Sequence, residues 1–173
     1  MFDIWNRRYT GSKHKLSAWI EHLIAEHCEG DSFCDIFAGT GIISYTMLSK
    51  MKKIYINDFL YSNEIIYKAF FESSKYSEKL INEYYNQFHL LSSDELEDNY
   101  ISENFGGKFF SASDAKKIGY IREVIEKDHS TLSDKEFSIL IASLLYSADK
   151  CANTVGHYDA YIKGKEINDT FSF

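Results

Sequence analysis

The chain contains no proline in 173 residues. At ordinary usage of about 5% a chain this long carries roughly nine. A codon bias toward Lys, Asn, Ile, Tyr and Phe lowers that expectation, and truncation before a proline-bearing motif is the sharper explanation. The two can act together, and chemistry that needs a proline-containing loop is excluded from these residues. Cysteine is scarce as well. Cys28, Cys34 and Cys151 are odd in number and form no C-x-x-C pair, so reduced thiols in a cytoplasm are expected rather than a disulfide framework. No apolar run approaches the roughly 20 residues needed to cross a bilayer. The start, Met1 to Arg8, lacks the apolar stretch of a signal peptide. A cytoplasmic protein without membrane contact is expected. The six histidines are scattered without zinc spacing, and no metal site is expected.

Positive charge is also short. The formal net charge is −7, which argues against a stand-alone nucleic-acid binder of the basic kind. The cations that exist are unevenly placed: Arg7, Arg8, Lys13, His14 and Lys15 crowd the N-terminus, while Asp94, Glu95, Glu97 and Asp98 form an acidic block. A local basic edge on an acidic body is compatible with both facts. Hydrophobic residues at 45% and charged residues at 26% describe an ordinary globular chain, long enough for one domain with a core. Aromatics reach 16%, with 13 Tyr and 13 Phe, enough for an aromatic core or for flat stacking surfaces.

Periodicity gives the elements. Ser12 reads as an N-cap, followed by Leu16, Trp19, Ile20, Leu23, Ile24 and His27 at helical spacing, so a helix is expected over about 12–28. Ser32 to Phe37 is a short apolar run ending at a glycine turn and reads as a buried parallel strand. Gly41 to Lys50 suits a helix with Ile42, Ile43, Met47 and Leu48 inward, and Lys53 to Asn57 reads as a second strand. Together they make one right-handed βαβ unit. Beyond Asp58 the pattern is mostly helical: 64–73, 78–91, a helix capped by Ser111 or Ser113 through Glu126, and a last helix opened by the capping box Ser133-Asp134-Lys135-Glu136. The polar stretch 92–107 reads as a surface loop, and 163–173 shows no period. The organisation expected is one domain, 1–173, with a cofactor-type βαβ portion over 1–60 and a mostly helical portion over 61–173.

Chemistry concentrates in three places. In Asp35-Ile36-Phe37-Ala38-Gly39-Thr40-Gly41 an apolar strand runs into two glycines, where a backbone free of Cβ atoms bends sharply and approaches a ligand. The spacing is G-x-G, and Ser44 stands where a dinucleotide fingerprint has its third glycine, which disfavours a nicotinamide oxidoreductase. A G-x-G turn is also common as plain structure. Asp58 lies 17 residues beyond Gly41 at the end of the second strand. A carboxylate there accepts bonds from ribose hydroxyls; it also suits a helix N-cap, and Asn57 competes for either role. Upstream, Tyr9-Thr10-Gly11-Ser12-Lys13 sets a glycine turn, a lysine and an aromatic ring at a helix start, which suits a carboxylate-bearing ligand group or merely a capped helix.

Taken in order, Tyr9–Lys13, Asp35–Gly41 and Asn57-Asp58 resemble the cofactor motifs of site-specific DNA adenine-N6 methyltransferases of restriction-modification systems. The block from Leu144 to Tyr161 is similar to one branch of that family. The resemblance implies an α/β, Rossmann-like, S-adenosylmethionine-dependent methyltransferase fold, here incomplete, with a helical insertion after the second strand. It implies that Tyr9 and Lys13 meet the methionine part of S-adenosylmethionine and that Asp35, Phe37, Gly39 and Gly41 belong to the pocket wall. Asp58 would hold the ribose. DNA is the implied partner, reached together with a missing C-terminal part or a companion chain. Asn153, Thr154, Gly156 and Tyr158 would border the active-site cleft or the DNA path.

One departure governs the expectation. The family's catalytic motif is Asp or Asn, then Pro-Pro, then Tyr or Phe. Its polar groups localise the lone pair of the adenine amine, and its ring stacks on the flipped base. No such motif exists here, and Asn168-Asp169-Thr170-Phe171 is only a look-alike without prolines. No catalytic residue is therefore assigned, and the isolated chain is expected to bind cofactor without transferring methyl groups. Two other readings share the pocket: a methyltransferase acting on RNA or a small molecule, and a non-catalytic cofactor- or DNA-binding subunit of a split enzyme.

Overall fold

The computed structural model describes residues 3–7 and 11–173. Lys13 and Ser12 open the first long helix, but not as an α-helical cap. Residues His14–Leu16 form a single tight 3-10 turn, and the α-helix proper, α1, runs Ser17–His27. The Ser12 hydroxyl accepts from the His14 amide at 3.4 Å, two residues ahead. A short-range bond of that kind tightens the chain instead of starting a regular helix. α1 packs against α2 (Ile42–Met47), yet Leu16 of the 3-10 turn and Trp19 of α1 stay exposed.

Strands β1 (Ser32–Asp35) and β2 (Lys53–Ile56) pair in parallel, with Ser32 opposite Lys53 and Asp35 opposite Ile56. The crossover between them is α2, as the βαβ reading requires. β1 is not the buried strand its apolar run predicts. Phe33 and Asp35 are half-buried, while the alternate residues Ser32 and Cys34 are exposed, and β2 repeats the pattern with exposed Lys53 and Tyr55. A strand presents successive residues to opposite faces, so one face of this two-stranded sheet is covered and the other is bare. Leu48 also departs from expectation. The α-helical residues end at Met47, and Leu48 sits beyond them, 45% exposed, while Ile42, Ile43 and Met47 are buried.

The helical portion is α3 (Tyr61–Phe71), α4 (Glu78–His89), α5 (Tyr100–Phe105), α6 (Ala112–Lys127) and α7 (Asp134–Cys151). Caps account for most of the boundaries. Ser77 accepts from Leu80, Ser111 from Asp114, and Ser133 with Glu136 forms the reciprocal capping box that begins α7. The stretch 92–107 is not a plain loop. Asn99 and Ser102 form a second capping box that starts α5, after a 3-10 turn at Ser93–Glu95. Its side-chain pattern is the same device with Asn and Ser in place of Ser and Glu.

The main core joins Phe88, Phe110, Ile118, Ile121, Ile125, Leu140 and Leu144 from α4, α6, α7 and the segment before α6. A smaller cluster of Ile66 and Tyr146, with Ala142, seats α3 on α7. The last residues carry no helix but do not hang free: the amides of Thr170 and Phe171 donate to the buried Asp114 carboxylate at 2.8 and 3.0 Å. Among the described residues, no helix is long and apolar enough to cross a membrane.

Candidate functional site

The turn after β1 is built by backbone geometry that only glycine adopts readily. Gly39 has φ +58° and Gly41 φ +78°. At Gly41 a Cβ would also meet the rings of Phe71 and Tyr67 at 3.1–3.3 Å. The strand ends are stapled just before the turn. The Asn57 amide donates to the Asp35 carbonyl at 2.8 Å, the Ala38 amide donates to the Asn57 carbonyl at 3.0 Å, and the Asn57 side chain donates to the Ile36 carbonyl at 2.9 Å. Asn57 is thus engaged in joining the strand ends.

Asp58 is bound to the glycine turn itself. Its Oδ2 accepts from the Gly39 amide at 2.8 Å, and its Oδ1 accepts from the Leu60 amide at 3.0 Å and the Asn63 side chain at 2.8 Å. Partial burial by itself would raise the Asp58 pKa. The bonds from Leu60, Gly39 and Asn63, with the nearby Arg7 charge, outweigh it and hold the carboxyl below its ordinary value. Asp58 therefore carries a negative charge at neutral pH, a few ångströms from two residues with left-handed backbone. The bond to Leu60 is a local turn contact and not a helix cap: Leu60 is itself the N-cap of α3, and no side chain caps that helix.

The other expected residues divide between the glycine turn and its support. Lys13 reaches across 24 positions of sequence to donate from Nζ to the Phe37 carbonyl at 3.2 Å, so the helix start and the glycine turn are joined. The Phe37 side chain is 78% exposed, an open aromatic face beside the turn. Asp35 turns inward instead: its Oδ2 accepts from the Ser44 hydroxyl at 2.8 Å, tying the end of β1 to α2. Ser44, placed where a dinucleotide fingerprint has glycine, is thus the buried partner of Asp35. Tyr9 lies outside the described residues.

Three supporting residues escape a motif reading. Tyr67 donates its hydroxyl to the Gly39 carbonyl at 2.6 Å, and Asn63 and Arg7 lie behind Asp58. Asn63 and Tyr67 are four apart on α3, hence on one helix face, and both are buried. That i, i+4 polar pair on an apolar face is the signal that could have found them.

The block around Asn153 is held together by local bonds. Asn153 is buried and staples a loop: its side-chain amide donates to the Lys108 carbonyl at 2.9 Å and to the Ile162 carbonyl at 3.0 Å, and its backbone amide donates to Phe109 at 2.7 Å. Thr154 is buried as well, and its hydroxyl accepts from the Gly156 amide at 3.2 Å. Tyr158 donates to Asp149 at 3.0 Å; although the residue is 43% exposed, desolvation of the hydroxyl and that neighbouring carboxylate push its pKa up. The Cys151 thiol is pushed up to about 12 by burial, which leaves it a packing group at neutral pH. No group of three or more His, Cys, Asp or Glu residues suited to a metal occurs among the described residues.

These features define a small parallel α/β lobe with a glycine turn and an acid at its strand ends, backed by a helical portion. A family described as "D12 class N6 adenine-specific DNA methyltransferase" matches residues 9–171. The chain belongs to that family. It is similar to the type II methyltransferase M.NlaIII of Neisseria lactamica, 32% identical over 164 residues, covering 90% of this chain and 49% of the relative. It is likewise similar to the type II methyltransferase M.CviAII of Paramecium bursaria Chlorella virus 1, 31% identical over 161 residues, with the same coverage of each chain. The modification methylase LlaI of Lactococcus lactis subsp. lactis is 31% identical over 175 residues, which is 90% of this chain and 27% of the relative. The chain thus spans about half the length of the first two relatives and about a quarter of the third. No solved structure matches it significantly.

Proposed function

We propose that these residues form the S-adenosylmethionine-binding part of a site-specific DNA adenine-N6 methyltransferase of a restriction-modification system. The observation that carries this reading is the bond from the Gly39 amide to Asp58, which sets an ionised acid against the glycine turn in a member of this family. The residues present fit the cofactor by donor type. Asp58 supplies an acceptor for ribose hydroxyls, Lys13 a cation for the methionine carboxylate, Tyr9 and Phe37 aromatic surface, and the backbone at Gly39 and Gly41 a wall without side chains. Asp35 acts from beneath by holding Ser44 and the start of α2. When bound, S-adenosylmethionine supplies an electrophilic methyl group; the contribution of this chain is to hold and orient it.

The fold in this reading is a Rossmann-like sheet of which these residues hold two strands, with 1–60 as the cofactor portion and 61–173 as a helical insertion. Two observations support it. Parallel sheets are ordinarily covered on both faces, whereas here Cys34 and Tyr55 are exposed on one face, and Ile36, Phe37 and Phe59 are exposed at the strand ends. The relatives are also about twice as long. Further strands and the proline-containing catalytic motif then come from sequence outside these 173 residues, and DNA is the substrate of the whole.

Isothermal titration with S-adenosylmethionine tests the pocket. Binding by the chain and its loss in Asp58→Ala are expected; equal binding, or none by either protein, refutes the assignment. Radiolabelled methyl transfer to mixed-sequence DNA tests the rest. No transfer by the 173-residue chain is expected, and transfer would show a catalytic group within it.

A further inference from the structure

Arg7 is the least expected group in this lobe. Its side chain is 7% exposed, and it stands 3.6 Å through Nε from Asp149, itself 14% exposed. Removing a guanidinium and a carboxylate from water is costly, and packed apolar residues often serve stability as well. The arrangement of donors around Arg7 gives it a different use. Its Nη1 donates to Asn63 Oδ1 at 2.5 Å, and Asn63 Nδ2 donates to Asp58 Oδ1 at 2.8 Å.

The order of donors in this series is fixed at both ends. A guanidinium has only donors, so it takes the carbonyl end of the Asn63 amide. An ionised carboxylate has only acceptors, so it takes the amino end. Without Arg7 the amide is held only at its amino end by Asp58, and its carbonyl oxygen loses the donor that fixes it from the other side. Asp149 holds the guanidinium from the opposite side and in turn accepts from the Tyr158 hydroxyl at 3.0 Å. We propose that Arg7 is a positioning residue for the cofactor acid, orienting the Asn63 amide that fixes Asp58 and being itself anchored by Asp149 on α7. Arg7 acts through Asn63 rather than by touching the ligand. The inference rests on the cofactor pocket proposed above, and among the described residues the charged and titratable groups that act on Arg7 include Asp58, Asp149, Tyr146 and Tyr158.

The test is a double-mutant cycle on S-adenosylmethionine affinity with Arg7→Met, Asn63→Ala and the pair. Each single change is expected to weaken binding roughly tenfold, and the pair by no more than the worse single, because both remove one device. Losses that multiply to about a hundredfold, or unchanged affinity in Arg7→Met, overturn the proposal. If Arg7→Met does not fold, Arg7→Lys is read instead: it keeps a donor toward Asn63, so a loss smaller than that of Asn63→Ala is expected, and an equal or larger loss overturns it. A readout without cofactor separates this proposal from the pocket assignment. The carboxyl carbon of Asp58, followed by NMR in the ligand-free chain, is expected to titrate at higher pH in Arg7→Met than in the parent, and an unmoved midpoint overturns the proposal even if no cofactor binds.

Discussion

The hydroxyl of Tyr67, on α3, donates to the carbonyl of Gly39 across 2.6 Å. Because the same glycine donates its amide to Asp58, its peptide groups are held from both sides. One residue comes from the strand end and the other from the first helix of the mostly helical portion. The candidate pocket is therefore not a property of the βαβ unit alone.

Tyr67→Phe removes the hydroxyl and leaves the ring. A loss of about 1 kcal/mol in stability is expected from one net hydrogen bond, together with weaker S-adenosylmethionine binding. Chemical denaturation and titration calorimetry on the same variant check both; unchanged values for both would show the Gly39 carbonyl to be indifferent to Tyr67.

Gly41→Ala meets two obstacles at once, a φ of +78° and rings within 3.1–3.3 Å of the new Cβ. The left-handed backbone alone costs about 1–2 kcal/mol, and displacing Phe71 or Tyr67 adds to it. A melting temperature lower by several degrees is expected in calorimetry, with impaired cofactor binding. Gly11, also at positive φ but with open space around its Cβ position, is the control: Gly11→Ala bears the backbone cost only.

Glu136 accepts from the amides of Ser133 and Ser77 and from the Ser133 hydroxyl, and these bonds hold its pKa below the ordinary carboxylate value. A carboxyl depressed in the folded state stabilises fully above the unfolded pKa, and that stability is lost as pH falls through the folded one. Unfolding free energy measured from pH 7 down through the acid range is expected to decline less in Glu136→Gln than in the parent, because the variant no longer has this carboxylate to protonate. Parallel curves would remove Glu136 from the acid response.

Lys135 is buried, with Nζ donating to the carbonyls of Lys68, Ala69 and Glu72 at 3.0, 2.8 and 2.7 Å, at the C-terminal end of α3. Lys135→Met leaves those carbonyls without their cation. A destabilisation of about 1–3 kcal/mol is expected, visible as a lower denaturation midpoint. A neutral result would show that water replaces the ammonium.

Asn153→Ala cuts the bonds to Lys108 and Ile162 that close the loop over residues 154–161. Faster limited proteolysis within that loop is expected, with the helical core still cooperative in its unfolding. Unaltered cleavage would mean that the backbone bonds of Asn153 suffice.

Much of the architecture follows from local sequence signals that act over a few residues. The Ser133–Glu136 box, Ser77 and Ser111 start their helices where their side chains reach amides three positions on. The turn at Gly39 and Gly41 was legible because its backbone angles belong to glycine, and the order of motifs pointed to the family that the match over residues 9–171 then established. Local signals failed where burial decides. The apolar run of β1 predicts a covered strand, but coverage depends on what packs against the far face, which no residue of β1 specifies. Asp35 and Asp58 are both acids at strand ends. Only the packing of α2 and α3 directs one to Ser44 and the other to the glycine turn. Arg7 and Asp149 lie far apart in sequence and meet because the N-terminal segment reaches Asn63 on α3 while α7 packs on that same helix. The sequence by itself determined the helix starts, the glycine turn and the family, since those depend on neighbours along the chain. Tertiary structure decided which acid faces the turn and which residues hold it there, since those contacts depend on how separate elements pack.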